Sequence, residues 1–195
     1  MRGSVFLGTV AVLIIAANTA MAQRVTDYLG LRGPIKFAGT EYTLAWSSTP
    51  FKTYVKQAYL PKGQSPETYG NMVMVEFLAG NISPVKAATQ QIAFLNKRRA
   101  SDPITKYQVT QNRQSGEYIL DFLLSSRDAN GAIIIEWNGY RYAAATDRQG
   151  KSGVVLFGIS HRAYGNTAAE AFLKKLATFK SEQIVTLAKM PLPWP

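Results

Sequence analysis

The chain of 195 residues contains no cysteine and a single histidine, His161. The absence of cysteine excludes disulfide bonds, thiolate zinc sites, iron–sulfur clusters and cysteine nucleophiles. With one histidine and no cysteine, the chain has few side chains that bind transition metals, so we expect neither a metal nor a cofactor. The sequence also lacks the H-E-x-x-H motif and the glycine patterns that bind phosphates or dinucleotides. Enzyme classes that depend on these groups have no support in the sequence.

Acidic residues are scarce, with 12 Asp and Glu against 22 Lys and Arg, for a formal net charge of +10. The 47% hydrophobic content is ordinary for a chain that buries a core, which argues against a disordered basic tail. A positive excess favours anionic partners. Nucleic acid is the weaker hypothesis, because no stripe of alternating basic and aromatic residues is present. The candidate contacts to an anionic surface lie on two predicted helices: Lys97, Arg98, Arg99, Lys174 and Lys175.

Residues 1–22 have the pattern of a secretory signal peptide. Arg2 is followed by an apolar run over residues 5–17, and the segment closes on Ala20-Met21-Ala22, an A-x-A cleavage site. The run is shorter than the ~20 residues that a membrane-spanning helix needs, and we predict no transmembrane segment in the mature chain. We therefore expect cleavage after Ala22, a single domain over residues 23–195, and a periplasmic or secreted location.

Alternation of apolar and polar residues predicts seven strands, over residues 40–46, 51–60, 72–78, 106–111, 117–125, 132–143 and 153–164, with a turn at residues 47–50. Two amphipathic helices are predicted. The first has Ser83 as its N-cap, Pro84 at its first position and Asp102 at its end, and the second runs from near Asn166 to Pro191. Short polar connections at residues 112–116, 128–131 and 147–150 have the composition of hairpin turns and favour an antiparallel arrangement. The predicted fold is α+β, a mainly antiparallel sheet packed with two amphipathic helices in a layered sandwich.

Three acidic residues lie inside the most apolar predicted strands, each between an aliphatic and an aromatic residue. Side chains alternate along a strand, so each acid points away from the face that its two neighbours occupy. If those neighbours face the helices, the three acids share the opposite face with two tyrosines and an arginine. The candidate ligand-binding residues on this face are Glu76, Asp121, Glu136, Tyr140, Tyr142 and Arg162.

Two interpretations of this face stay open. One is a half-exposed sheet face with cross-strand ion pairs, in which Arg162 or Arg141 neutralises the acids. The other is a polar groove for a small polar or cationic ligand, or for part of another protein. Paired carboxylates could also act as general acid and base, although no catalytic residue can be assigned. His161 falls on the opposite, core-facing side and is interpreted as a structural histidine.

The segments WSSTPF (46–51), YLPKGQ (59–64) and MVMVEFL (72–78) resemble small exported proteins of unknown function from Gram-negative bacteria. The order of strands and helices is similar to the sandwich of the PsbP and Mog1 proteins. That resemblance implies an antiparallel sheet between helices and a role in binding or assembly. The alternative fold is cystatin-like or NTF2-like, against which the C-terminal helix counts.

The expected function is that of an exported, non-enzymatic binding or accessory protein. Its partner is expected to be another envelope protein, a small polar ligand or an anionic envelope surface. The alternative is a small hydrolase that uses Glu76, Asp121 or Glu136.

Overall fold

The computed structural model describes residues 25–31 and 33–194. The predicted signal peptide and its cleavage site lie outside these residues. The elements run in the order β1 (Ile35–Phe37), β2 (Thr40–Phe51), β3 (Tyr54–Leu60), β4 (Asn71–Ala79), α1 (Pro84–Arg98), β5 (Lys106–Gln111), β6 (Tyr118–Arg127), β7 (Ile133–Thr146), β8 (Ser152–Tyr164) and α2 (Gly165–Lys189). None of the helices in the described part of the chain is long and apolar enough to cross a membrane.

The strands form one antiparallel sheet in the order β1-β2-β3-β4-β8-β7-β6-β5. After β4 the chain passes through α1 to the far edge of the sheet at β5. It then returns strand by strand until β8 pairs with β4. Together with the two helices, this arrangement confirms the predicted α+β fold.

The same device makes the two hairpins β6–β7 and β7–β8. The carboxylate of Asp128 accepts hydrogen bonds from the backbone N–H groups two and four residues later, each at 2.8 Å. Asp147 repeats this pattern at 2.9 Å. Gly131 and Gly150 close the two turns with positive φ angles of 80° and 79°, a conformation that glycine adopts without strain. These short turns keep β6, β7 and β8 adjacent in the sheet.

Two details of the N-terminal strands differ from the prediction. Residues 47–50 lie inside β2, and the chain turns instead at Lys52 and Thr53. Pro50 is tolerated there because β1 pairs only with Thr40, Glu41 and Tyr42, which leaves the rest of that edge of β2 without a neighbouring strand among the described residues. Strand β1 was not predicted, because its three residues are too few for a recognisable alternation.

The helices cover opposite faces of the sheet. Met74 and Leu120 lie in a core cluster with Leu95 of α1, whereas Val75 lies in a second cluster with Phe172 of α2. Strands β4, β6, β7 and β8 are therefore largely buried on both faces, and they lack the half-exposed face that one of the two interpretations expected. Ser83 caps α1 as predicted, accepting a hydrogen bond from the N–H of Lys86 at 3.4 Å.

One arginine ties the end of α2 to the sheet. Arg141 of β7 donates from Nη1 to the carbonyl oxygens of Leu187, at 3.2 Å, and Met190, at 2.7 Å. Its Nε and Nη2 donate to the carboxylate of Glu117 at 2.9 to 3.2 Å. Both charged side chains are mostly buried, with 12% and 18% of their surface exposed. Arg141 thus satisfies the last carbonyls of α2 and, contrary to one expectation, leaves the acids inside the strands to other partners.

We predict that Arg141→Ala lowers the free energy of unfolding by about 2–4 kcal/mol, because it leaves Glu117 and the carbonyls of Leu187 and Met190 without their donor. Arg141→Lys should cause a smaller loss. The ammonium keeps the positive charge and part of the hydrogen bonding, although it cannot reach all these acceptors. Urea unfolding followed by far-UV circular dichroism measures both. The exposed Lys36→Ala serves as the control, and equal midpoints for it and Arg141→Ala would contradict the role assigned to Arg141.

Candidate functional site

Five of the six candidate ligand-binding residues lie on the α1 face of the sheet, and Asp121 lies on the α2 face. Directly paired residues of an antiparallel ladder share a face. Glu136 pairs with Arg162, whereas Asp121 pairs with Gly139 on the other face. The expectation that all three acids share one face is therefore wrong for Asp121. Its strand presents Leu120 and Phe122 to α1, in the opposite orientation to the other two acid-bearing strands.

Glu136 is the centre of a closed network on the α1 face. Its carboxylate accepts hydrogen bonds from Nε of Arg162, from the hydroxyl of Tyr69 at 3.0 Å and from Nδ2 of Asn138 at 2.9 Å. The amide oxygen of Asn138 in turn accepts from the hydroxyl of Ser160 at 2.5 Å. Every oxygen of the carboxylate is therefore engaged inside the protein.

Arg162 is held from both sides. Its guanidinium lies 4.2 Å from the ring centroid of Tyr69, in cation–π geometry. Its backbone N–H donates to the carbonyl of Gly70 at 2.9 Å, and the hydroxyl of Tyr164 donates to the carbonyl of Tyr69 at 3.0 Å. Burial is the largest single influence and disfavours the charged guanidinium, but Glu136, Tyr69 and Tyr164 together outweigh it and raise the pKa of Arg162. Arg162 neutralises Glu136, as one interpretation of the sequence expected.

Glu76 forms a second buried group on the same face. It is 0% exposed, accepts a hydrogen bond from the hydroxyl of Tyr54, and places Oε1 3.7 Å from Nζ of Lys56. Oε1 has no hydrogen-bond partner in the described part of the chain. Burial raises the pKa of Tyr140 and of Tyr142, and the charge of Glu76 raises both further, so these phenols stay protonated. The group is enclosed by neutral aromatic side chains and one lysine.

The close packing of Tyr140 against β8 leaves no space for a ligand between this ring and the strand. Tyr140 lies opposite Gly158 in the ladder, and a Cβ atom at Gly158 would stand only 2.7 Å from the ring of Tyr140. Tyr140 is 5% and Tyr142 is 1% exposed. The arrangement can hold two charged pairs in fixed positions, and it offers neither carboxylate to a substrate from solvent.

Asp121 connects the sheet to α2 on the other face. Its Oδ1 accepts hydrogen bonds from Nζ of Lys180 and from Nε1 of Trp137, each at 3.4 Å. Lys180 also donates to Oε1 of Gln108 at 3.0 Å. Among the described residues, no group of three or more His, Asp or Glu side chains is placed to hold a metal ion.

An open groove of about 880 Å³, which was not predicted from the sequence, lies beside the first half of α2. We call it the α2 groove and define it by five of its lining residues. His161, Phe172 and Phe179 form its aromatic floor, with ring centroids 4.6 to 5.3 Å apart. Lys174 and Lys175, both exposed, line it as well. The signal available in the sequence was a helical stripe of Phe172 and Phe179 next to two lysines.

His161 faces α2, as strand alternation predicted. Its Nδ1 lies 2.8 Å from Oδ1 of Asn71, an acceptor, so Nδ1 carries the proton and Nε2 is unprotonated in the neutral ring. Burial lowers the pKa of His161. The ring is therefore neutral at physiological pH and contributes to the apolar floor of the groove.

The predicted basic contacts fall into two groups on opposite layers of the molecule. At the end of α1, Arg98 pairs with Asp102 at 3.0 Å, and Arg99 lies 4.7 Å from the ring centroid of Tyr107. Lys97 is exposed. On α2, Nζ of Lys174 lies 2.8 Å from Oε1 of Glu170. Exposed ion pairs of this kind contribute little to the stability of the fold. Arg98 and Arg99 thus have structural partners, whereas Lys97, Lys174 and Lys175 extend into solvent.

We predict strong energetic coupling between Glu136 and Arg162. Arg162→Met leaves a carboxylate without its counter-ion and should lower the free energy of unfolding by about 3–5 kcal/mol. Adding Glu136→Gln should restore part of that loss, because the unpaired charge is removed. Urea unfolding of the two single variants and the double variant gives the coupling. The matched control is the exposed pair Glu170→Gln and Lys174→Met, whose coupling should be close to zero; additive losses at Glu136 and Arg162 would contradict the prediction.

Comparison with known proteins identifies a family for this chain. No curated protein and no solved structure matches the chain. One protein-family model matches residues 29–192, a span that contains all eight strands and both helices. This match covers most of the sequence, and the chain therefore belongs to that family, an uncharacterised one.

Proposed function

We propose that this chain is an exported, non-enzymatic binding protein that holds an amphiphilic anion, a negatively charged head group joined to an apolar chain, in the α2 groove. The observation that carries the proposal is the pairing of an aromatic floor with two exposed lysines in an open groove of about 880 Å³. This volume suits a small-molecule site, since such sites range over about 300–1,000 Å³.

The chemistry of the groove supports an anion with an apolar part. The rings of His161, Phe172 and Phe179 offer apolar contact area, and Lys174 and Lys175 offer two adjacent positive charges. Glu182, which also lines the groove, lies seven residues beyond Lys175, about 10 Å along the helix axis. The negative head group is therefore placed at the lysines, away from Glu182, and the apolar chain lies over the rings.

The hydrolase alternative has little support. A carboxylate pair can act as acid and base only when both groups reach the substrate. Glu76 is fully buried, Glu136 is held by Arg162, and Asp121 lies on the other face of the sheet. None of the three is among the residues described as lining the α2 groove.

Export and a binding role are supported by the sequence patterns. Residues 1–22 have the three parts of a signal peptide, and the remaining chain is free of cysteine. The resemblances to exported Gram-negative proteins and to PsbP and Mog1 imply a binding or assembly role. An amphiphilic anion of this kind occurs as a free fatty acid and as a lipid at the surface of an anionic membrane.

We predict that the protein binds dodecanoate and does not bind dodecyltrimethylammonium, which has the same chain and the opposite charge. Trp137 lies 5.4 Å from Phe179, ring centroid to centroid, so tryptophan fluorescence reports on the groove. The variant Lys174→Glu/Lys175→Glu should weaken binding by about tenfold, and added salt should reduce the difference. Vesicles of phosphatidylglycerol, compared with phosphatidylcholine, separate a membrane surface from a free acid as the source.

Two matched controls test whether the groove itself binds the ligand. Ala171→Trp fills the groove and should abolish binding, whereas Ala177→Trp changes another exposed alanine of α2 that does not line the groove. Lys97→Glu/Lys189→Glu changes the net charge equally at two exposed positions elsewhere and should leave dodecanoate binding intact. Loss of binding in both double variants, or binding that survives Ala171→Trp, would contradict the groove assignment.

Export has its own test. When the full chain is expressed in a Gram-negative host, we predict that a cleaved chain beginning at Gln23 is recovered from the periplasm, as read by N-terminal sequencing and intact mass. Ala22→Arg should block cleavage, because signal peptidase requires small residues at the A-x-A site. Cytoplasmic recovery of the uncleaved wild-type chain would contradict export.

A further inference from the structure

Strand β5 forms one edge of the sheet and is open to solvent. It pairs only with β6, and no other described strand lies along its outer side. Five of its six residues are exposed; Tyr107, half-buried, is the exception. The apolar side chain of Val109, in the middle of the strand, is 38% exposed. The opposite edge, β1, has only three residues.

Edge strands are templates for pairing with another chain, and proteins usually protect them with short length, proline, bulges or charge. At the opposite edge β1 is short, and the part of β2 that β1 does not cover contains Pro50 and two irregularities in its register with β3. Strand β5 is six residues long, contains no proline, keeps a regular register with β6, and has one charged residue, Lys106, at its end. Its central residues therefore carry no such protection.

The ladder identifies the backbone groups that point outward from β5. The N–H of Asn112 donates to the carbonyl of Glu117 at 2.9 Å, which makes these residues a hydrogen-bonded pair. Bonded and non-bonded pairs alternate in an antiparallel ladder. Residues 106, 108 and 110 therefore bond to β6, and the N–H and C=O groups of Tyr107, Val109 and Gln111 point away from the sheet.

We propose that β5 pairs antiparallel with β5 of a second copy of this chain, about a two-fold axis at Val109. In this register the outward groups of Tyr107 meet those of Gln111 of the second copy, and Val109 packs against its equivalent. Lys106, the one charged residue of β5, lies opposite the neutral Asn112 and not opposite its equivalent. The two sheets become one continuous sheet of sixteen strands.

The neighbouring register, with the axis at Gln108, is less favourable. Gln108 accepts a hydrogen bond from Lys180 at 3.0 Å, so that axis brings two lysine ammonium groups together. The axis at Val109 places Gln108 opposite Thr110 instead, and it buries the exposed apolar side chain. Of these two registers, the axis at Val109 keeps the equivalent lysines of the two copies further apart, so a second copy of this chain can pair with β5 without placing Lys106 or Lys180 opposite its equivalent.

The test is sedimentation equilibrium of the mature chain over a concentration series. Strand pairing of this length lies at the small end of stable interfaces, so we expect a dimer with Kd on the order of 100 µM. Val109→Pro removes an outward N–H without touching a bond to β6 and should be monomeric. Val109→Thr keeps the N–H and should dimerise within about threefold of wild type, at an interface where hydrogen bonds dominate.

A second variant covers the case in which proline unfolds the strand. Val109→Lys keeps the backbone donor but sets two like charges opposite each other at the axis, and it should also be monomeric with unchanged circular dichroism. A monomeric wild-type protein at 1 mM, or a dimer that survives both Val109→Pro and Val109→Lys, overturns the proposal.

Because the chain contains no cysteine, one introduced cysteine also tests the register. Val109→Cys places the two cysteines directly opposite each other, where Cα atoms stand about 5.5 Å apart, within disulfide range. Gln111→Cys places them four residues apart along the strands, about 13 Å, which is too far. Oxidation should cross-link the first variant and leave the second monomeric on a denaturing gel; cross-linking of Gln111→Cys at an equal rate overturns the register.

Discussion

Burial of the central strands on both faces is the constraint from which the other features follow. Along β4, Met72 and Met74 pack on the α1 side and Val73 and Val75 on the α2 side, so consecutive residues all lose contact with water. A polar side chain in such a strand must find its partners inside the protein, because an unpaired buried charge is costly. This requirement turns Glu136 from a possible ligand contact into part of a fixed internal network with Arg162.

Internal pairs of this kind are better explained by specificity than by stability. Removing two charges from water costs about as much as their attraction returns, and apolar replacements are often as stable. A displaced register is different, because it would separate Glu136 from Arg162 and leave both charges buried. Both faces of these strands are apolar, so the alternation of apolar residues does not by itself select one register. We infer that the charged pairs select the alignment of β7 with β8.

The same two-sided burial marks the limit of prediction from sequence. Local chemistry predicted the cap at Ser83 and the turns that start at Asp128 and Asp147, since each depends on residues only a few positions apart. Strand alternation relates neighbours within one strand and says nothing about which face meets which helix. Leu120-Asp121-Phe122 and Ile135-Glu136-Trp137 have the same pattern and opposite orientations. The α2 groove was missed for a related reason, because it forms where β8 meets α2 and belongs to neither alone.

The internal pairs also determine where the positive charge of the chain is found. Five acids are paired with five bases in mostly buried contacts: Glu76 with Lys56, Asp102 with Arg98, Glu117 with Arg141, Glu136 with Arg162 and Asp121 with Lys180. Each of these pairs is neutral, so it leaves the net charge of +10 unchanged while removing acids from the surface. The remaining excess of Lys and Arg is therefore carried by fewer, more exposed groups. An anion that approaches α2 meets Lys174 and Lys175 with Glu170 as the nearest compensating charge, which is why the groove beside them is suited to attract one.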